Sequence, residues 1–256
     1  MTHHGNFHQT DLHRPSAERT DADMLDINRA FYNNLWRDAL LVEPERFNTW
    51  PLVSSLLAAH PRRLEVAPGL RPRLPIDGTQ FVDISTPALD KLKARGGMTD
   101  TASISLLPFA DDSFDLLCAL DIIEHVDDDE GAMAELSRVA ADGAVLLVST
   151  PLHAAWWTPF DDFVGHRRRY EPAALVAFLA RHGFTVTHSA VFGMKPKSSR
   201  LVDIGMWFLK HRRDRAMWWC NRVLPFTVRF QKPLQLLSGL MPTDDIAEVF
   251  LVCKRV

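Results

Sequence analysis

The chain has 256 residues, 46% of them hydrophobic, and a formal net charge of −3. That length and apolar content support one good-sized domain with a full core, and the near-balanced charge argues against wholesale nucleic-acid binding. Cys118, Cys220 and Cys253 are too few and too scattered for a disulfide frame or a zinc site, and no stretch reaches the ~20 apolar residues that span a bilayer. A cytoplasmic protein with reduced thiols is expected, and the polar, His-rich start does not read as a signal peptide.

Residues 1–20 are polar and lack periodicity, so a disordered tail is expected. His3, His4, His8 and His13 in it suit a solvated tail better than a metal site. Residues 21–60 are expected to form a helical cap. Leu25, Ala30, Phe31, Leu35 and Leu41 give a partly apolar face, Pro44 ends that run, and a second short helix is expected over 50–59.

The stretch from Arg63 to Asp83 then reads as strand, tight loop, strand. Residues 63–67 are short, apolar and bounded by Pro61 and Pro68, as an interior parallel strand should be. Gly69 allows close approach of the backbone to a ligand, and residues 79–83 form the next strand with Asp83 at its carboxyl end. In open α/β sheets the ligand sits at that end. Glu65 and Asp83 are 18 residues apart, close to the roughly 20 expected between a nucleotide-binding loop and the acid that holds a ribose hydroxyl. A dinucleotide fingerprint is absent, because only one glycine remains and Pro68, Pro72 and Pro75 shorten any helix that would hold a pyrophosphate. An acidic strand end suits a ligand with an adenosine and a cation, and S-adenosylmethionine is such a ligand.

Further along, Ser85-Thr86-Pro87 starts a helix that Gly96-Gly97 stops. A third strand is expected near 101–105, and a fourth, buried on both faces, over 114–120 with Ala119 and Leu120 at its carboxyl end. Asp127 with Glu130 resembles a capping box opening a helix over Met133, Leu136 and Ala140. Strands over 144–149, 184–192 and 247–252 and a helix from Glu171-Pro172 follow. Asp121, Glu124 and His125, at one turn, are reasonable ligands for a divalent ion; local hydrogen bonding is the plainer reading, and no metal is called for. His166 could take a proton from an attacking nucleophile, Tyr170 could orient that nucleophile, and Arg169 could hold an acceptor's anionic group. The alternative is that His166 and Arg169 pin their loop to Asp161 or Asp162.

Glu65-Val-Ala-Pro-Gly69, Phe81-Val-Asp83, Leu107-Pro108-Phe109…Ser113-Phe114-Asp115, Asp121-Ile-Ile-Glu124-His125-Val126 and Gly165-His166…Arg169-Tyr170 occur in this order. The series resembles the class I S-adenosylmethionine-dependent methyltransferases, of the methyltransferase 11-like small-molecule type, over roughly residues 61–192 and the last strand. The resemblance implies a Rossmann-like α/β domain over 61–256. Its seven-stranded, mainly parallel sheet would have the order 3-2-1-4-5-7-6, with a helical insertion at about 195–243. It implies cofactor contacts from Glu65, Ala67, Gly69, Asp83, Ile84, Ser103, Ile104, Ala119 and Leu120. Ser103 stands where many relatives carry an Asp that reaches the adenine. Tyr32 would close over the sulfonium, and Tyr32, His125, His153 and Arg169 would face the acceptor. The expected reaction moves a methyl group to an O, N or C nucleophile of a small-molecule or lipid-like acceptor. The alternative is a non-catalytic cofactor-binding or scaffolding member of the fold, with a dehydrogenase as a weaker third reading. The insertion is basic and aromatic, which suits a lid, a homodimer face or peripheral membrane contact; no nucleic-acid partner is expected.

Overall fold

A computed structural model describes residues 39–193 and 231–256, together with positions 29, 32, 33, 36 and 37 and scattered positions between 207 and 228. The expected tail over 1–20, most of the first cap helix and most of the insertion lie outside the described residues.

Among the described residues eight strands form one sheet: β1 (Arg63–Val66), β2 (Thr79–Asp83), β3 (Met98–Thr101), β4 (Phe114–Leu120), β5 (Ala140–Pro151), β6 (Phe184–Val191), β7 (Leu237–Ser238) and β8 (Glu248–Arg255). Their order is β3-β2-β1-β4-β5-β8-β6-β7. The first five are mutually parallel, and β8 runs antiparallel between β5 and β6. This is the expected order, with one added edge strand, the two-residue β7 on β6.

Five α-helices accompany the sheet among the described residues: α1 (Trp50–Leu56), α2 (Thr86–Lys93), α3 (Asp129–Val139), α4 (Pro159–Val164) and α5 (Pro172–Arg181). The period of two along β4 divides the core. Leu117 and Ala119 face α3 and α5, packing with Met133, Leu136, Leu175 and Leu179. Leu116 and Cys118 face the other way, toward Val53 of α1, Leu147 and Phe250. Asp128, not Asp127, caps α3, its side chain accepting from Gly131 N at 2.9 Å.

The connection between β1 and β2 is the local departure that shapes the site. Parallel neighbours are usually joined through a crossover helix. Here twelve residues, 67–78, make the crossing without one. Pro68, Pro72 and Pro75 remove amide donors and forbid helical continuation. Leu70 and Leu74, both fully buried, fill part of the space a helix would cover. Ala67 takes φ +54 and Gly69 φ +53, so the chain leaves β1 through two left-handed residues, the first of which carries a Cβ.

Candidate active site

A cavity of about 270 Å³ opens at the carboxyl ends of β1, β2 and β4. Its wall includes Glu65, Ala67, Asp83, Ile84, Ser103, Ile104 and Leu120, seven of the nine positions expected to touch a cofactor. Gly69 is not on the wall, because Trp36 lies against it. Ala119 is fully buried in the core behind it. Tyr32 and His125, expected to face the acceptor, are on the wall, and so are Trp36, Arg71, Arg73 and Asp121, which the sequence did not assign to the cofactor.

The two acids that anchor the cavity are held by backbone amides. Asp83 accepts from Gly69 N at 3.1 Å through one oxygen and from Ser85 N at 2.8 Å through the other. The Ile84 amide also approaches this carboxylate, which still faces the cavity and has acceptor capacity left for a ligand hydroxyl. Burial lifts the Asp83 carboxyl to about 6 against the pull of these N–H bonds. Glu65 reaches the wall, but its carboxylate accepts from Arg73 N and Leu74 N at 2.9–3.0 Å. Its first role is therefore to clasp the helix-free loop, where a direct hold on a cation was expected. Burial lifts its carboxyl to about 7.

Tyr32 stands edge-on to His125, ring centroids 6.5 Å apart. Burial first, then Asp83 and Glu124, push its phenol up, so it stays protonated. Asp121 follows β4 at φ +51 and opens onto the cavity. Ser149 aims it: Asp121 N donates to Ser149 Oγ at 3.1 Å, and that hydroxyl donates back to Asp121 Oδ1 at 2.6 Å. Burial among protein atoms pushes the Asp121 carboxyl up, and Glu248, which shares a hydrogen bond with it, is pushed up as well.

The loop carrying His166 and Tyr170 is built differently from the expectation. Thr158 and Asp161 form a capping box at the start of α4, and Gly165 ends that helix in the left-handed region at φ +82. Asp161, fully buried, accepts from His166 Nδ1 at 2.8 Å, from Arg169 Nε at 2.8 Å and from Arg169 Nη2 at 3.0 Å. Burial alone would raise its carboxyl, but Arg169, Thr158 and His166 outweigh that and hold it at about 2. Arg169 also donates to Leu152 O, so it pins the loop and is not on the cavity wall. Tyr170, 8% exposed, donates to Asp129 Oδ2 at 2.6 Å and stacks on Phe178. It packs the core and is not on the cavity wall, where the sequence expected it to orient a nucleophile. His153 bonds Thr243 O through Nε2 at 2.8 Å and is also absent from the wall. His166 itself sits behind His125, ring centroids 4.7 Å apart, its Nε2 3.9 Å from Glu124 Oε1.

Residues 79–148 match a family described as a methyltransferase domain. No curated protein matches the chain with significance. Among solved structures the chain is similar to a SAM-dependent methyltransferase from Thermotoga maritima, with a TM-score of 0.59 and 17% identity, over 91% of this chain and 100% of that one. It is also similar to phosphoethanolamine N-methyltransferase 2 of Haemonchus contortus, solved with phosphomonomethylethanolamine and S-adenosylhomocysteine. That likeness has a TM-score of 0.53 and 14% identity, over 93% of this chain and 60% of that one. The chain thus has the class I S-adenosylmethionine-dependent methyltransferase fold, with a methyltransferase-domain match on the segment from β2 into β5.

Proposed function

We propose that the chain binds S-adenosylmethionine in this cavity and moves its methyl group to an oxygen, nitrogen or carbon of a small-molecule or lipid-like acceptor. The observation that carries the reading is Asp83. It is a nearly buried carboxylate at the end of β2, fixed by two amides and still open on the cavity side. That is the placement a ribose hydroxyl pair requires. Ser103 and Ile104 would border the adenine, and the acidic, aromatic wall around Tyr32, His125 and Asp121 suits a sulfonium. The sulfonium is already a good leaving group, so the chain's own task is to hold donor and acceptor in line and to keep water out. Tyr170 is bonded to Asp129 away from the cavity, and that division of labour needs neither it nor His166 as a base.

The insertion supports the lipid-like side of this reading. Trp207, Trp218 and Trp219 are exposed among the described residues, which suits an apolar acceptor, a second copy or a membrane surface. No helix among the described residues is long and apolar enough to cross a membrane. Cys118 and Cys253, buried and unpaired, fit a reducing, cytoplasmic setting.

The helix-free connection with Ala67 at φ +54 favours one other reading, a member of the fold that binds a cofactor or partner without transferring methyl. Isothermal titration with S-adenosylhomocysteine tests the binding step. One-to-one micromolar binding is expected, weakened by about 10- to 100-fold in Asp83→Ala, in line with losing a charged hydrogen-bond acceptor. Absence of binding in the parent chain would remove both readings. Binding without turnover over a panel of phenols, amines and lipids would favour the second.

A further inference from the structure

Glu124 presents an unresolved problem in the interior. It is 1% exposed, and among the described residues neither carboxylate oxygen has a hydrogen-bond partner. Thr150 lies close enough to ease the charge but makes no bond of ordinary geometry. Buried carboxylates are normally paired, hydrogen-bonded or bound to a metal. Two imidazoles lie beside Glu124. His166 Nε2 is 3.9 Å from Glu124 Oε1, too long for a hydrogen bond. One ligand atom from each of Glu124, His125 and His166 lies within 4.8 Å of the others.

Both imidazoles are oriented from behind. His166 gives its Nδ1 to Asp161 at 2.8 Å, which leaves Nε2 as the lone-pair nitrogen facing Glu124. Asp161 is in turn fixed by Arg169 and Thr158. The His125 ring sits at the carbonyl of Gly165, which favours a proton on that side and a lone pair on the other. A carboxylate or carbonyl behind each imidazole is the usual support of a metal-binding histidine. The backbone bond from Arg167 N to Glu124 O, 2.7 Å, holds the two halves of the set together although they are 42 residues apart in sequence.

We propose that Glu124, His125 and His166 form a binding site for a first-row divalent transition ion of the zinc type. Two nitrogens and one carboxylate oxygen suit such an ion, whereas calcium and magnesium prefer all-oxygen sets. Ligands about 2.0–2.1 Å from a tetrahedral ion stand roughly 3.3 Å from one another, so a small inward closure of the side chains completes the shell. The ligand set differs from the one the sequence suggested, because Asp121 turns to Ser149 and Glu248 while His166 arrives from a distant loop. A fourth position remains for water or an acceptor atom entering from the cavity that His125 lines.

The test uses the full chain, stripped with a chelator and titrated with zinc chloride by calorimetry and with cobalt chloride by visible absorption. One-to-one binding is expected, with cobalt bands of tetrahedral intensity. His3, His4, His8 and His13 could bind metal independently, so all four are replaced by Gln in the reference chain. In that background, Glu124→Gln and His166→Ala should each weaken binding by about a hundredfold or more, and Asp161→Asn by about tenfold or more. Glu124→Gln is nearly isosteric, so it decides the matter should His166→Ala fail to fold. Binding of S-adenosylhomocysteine serves as the check on folding and is read separately from metal. The proposal is overturned if the reference chain binds neither ion, or if Glu124→Gln binds as tightly as its parent.

Discussion

Tyr170 has the chemistry of an active-site residue and the environment of a core residue. Its hydroxyl donates to Asp129 at 2.6 Å, and burial, with Asp129 beside it, pushes the phenol well above its ordinary range. Arg168 meets the other oxygen of Asp129, so the pair closes the gap between the His166 loop and the start of α3. Tyr170→Phe should keep the ring stacked on Phe178 and lose only the hydrogen bond. A loss of about 1–2 kcal/mol is expected, seen as a Tm lower by a few degrees, with affinity for S-adenosylhomocysteine unchanged within about twofold. A tenfold drop in methyl transfer at unchanged Tm would instead return Tyr170 to the acceptor. Arg169 is held in the same way: the sequence offered it an acceptor-binding and a loop-pinning reading, and its bonds to Asp161 and Leu152 are those of the second. His166 shares Asp161 through Nδ1 only, which leaves its Nε2 facing Glu124.

At the scale of elements, the connection between β1 and β2 decides how the cofactor cavity is walled. Trp36 lies so close to Gly69 that a Cβ there would sit 2.3 Å from Trp36 Cζ2, and the residue is already at φ +53. Gly69→Ala should therefore destabilise the chain by about 1–3 kcal/mol through backbone strain and the clash together. In a Trp36→Ala background the clash disappears and only the strain remains. Urea midpoints of the four proteins should show coupling of about 0.5 kcal/mol or more, and additivity within about 0.3 kcal/mol would mean that Trp36 does not rest on this turn. Legibility in the sequence follows the same physics. Residues 79–83 and 114–120 were readable to the residue, because apolar runs flanked by turn formers report burial on both faces. β3 lies at Met98–Thr101, earlier than the expected 101–105, because an edge strand with three exposed residues carries little apolar signal. β7 has two exposed residues and forms only because β6 offers it an edge. Wall positions at strand ends, such as Asp83 and Leu120, were visible by the same logic. Arg73 and Trp36 were not, since their places depend on how a proline-rich loop and a cap segment fold against the sheet.

Over the whole molecule, stability against pH is a sum of groups that pull in opposite directions. Glu65 and Asp83 titrate near 7 and 6 in the fold, against 4.5 and 3.8 without it. The native chain therefore holds protons that the unfolded chain has released. The stability this lends is complete below about pH 4 and is lost as pH rises through 6 and 7. Buried histidines run the other way: His125, near 3 in the fold against 6.5, makes the native state relatively stronger as pH rises toward 7. The summed profile is thus flattened, and a difference between two proteins isolates one group. Glu65→Gln leaves a side chain of the same shape that can still accept one N–H bond at the loop, but it cannot titrate. The stability of the parent minus that of Glu65→Gln should fall by about 2 kcal/mol between pH 5 and pH 8, measured by urea unfolding at fixed ionic strength. A flat difference across that window would mean that the N–H groups of Arg73 and Leu74 keep Glu65 ionised throughout. The clasp on the helix-free loop would then be a permanent carboxylate, and the negative charge on the cavity wall would be present before any cation arrives.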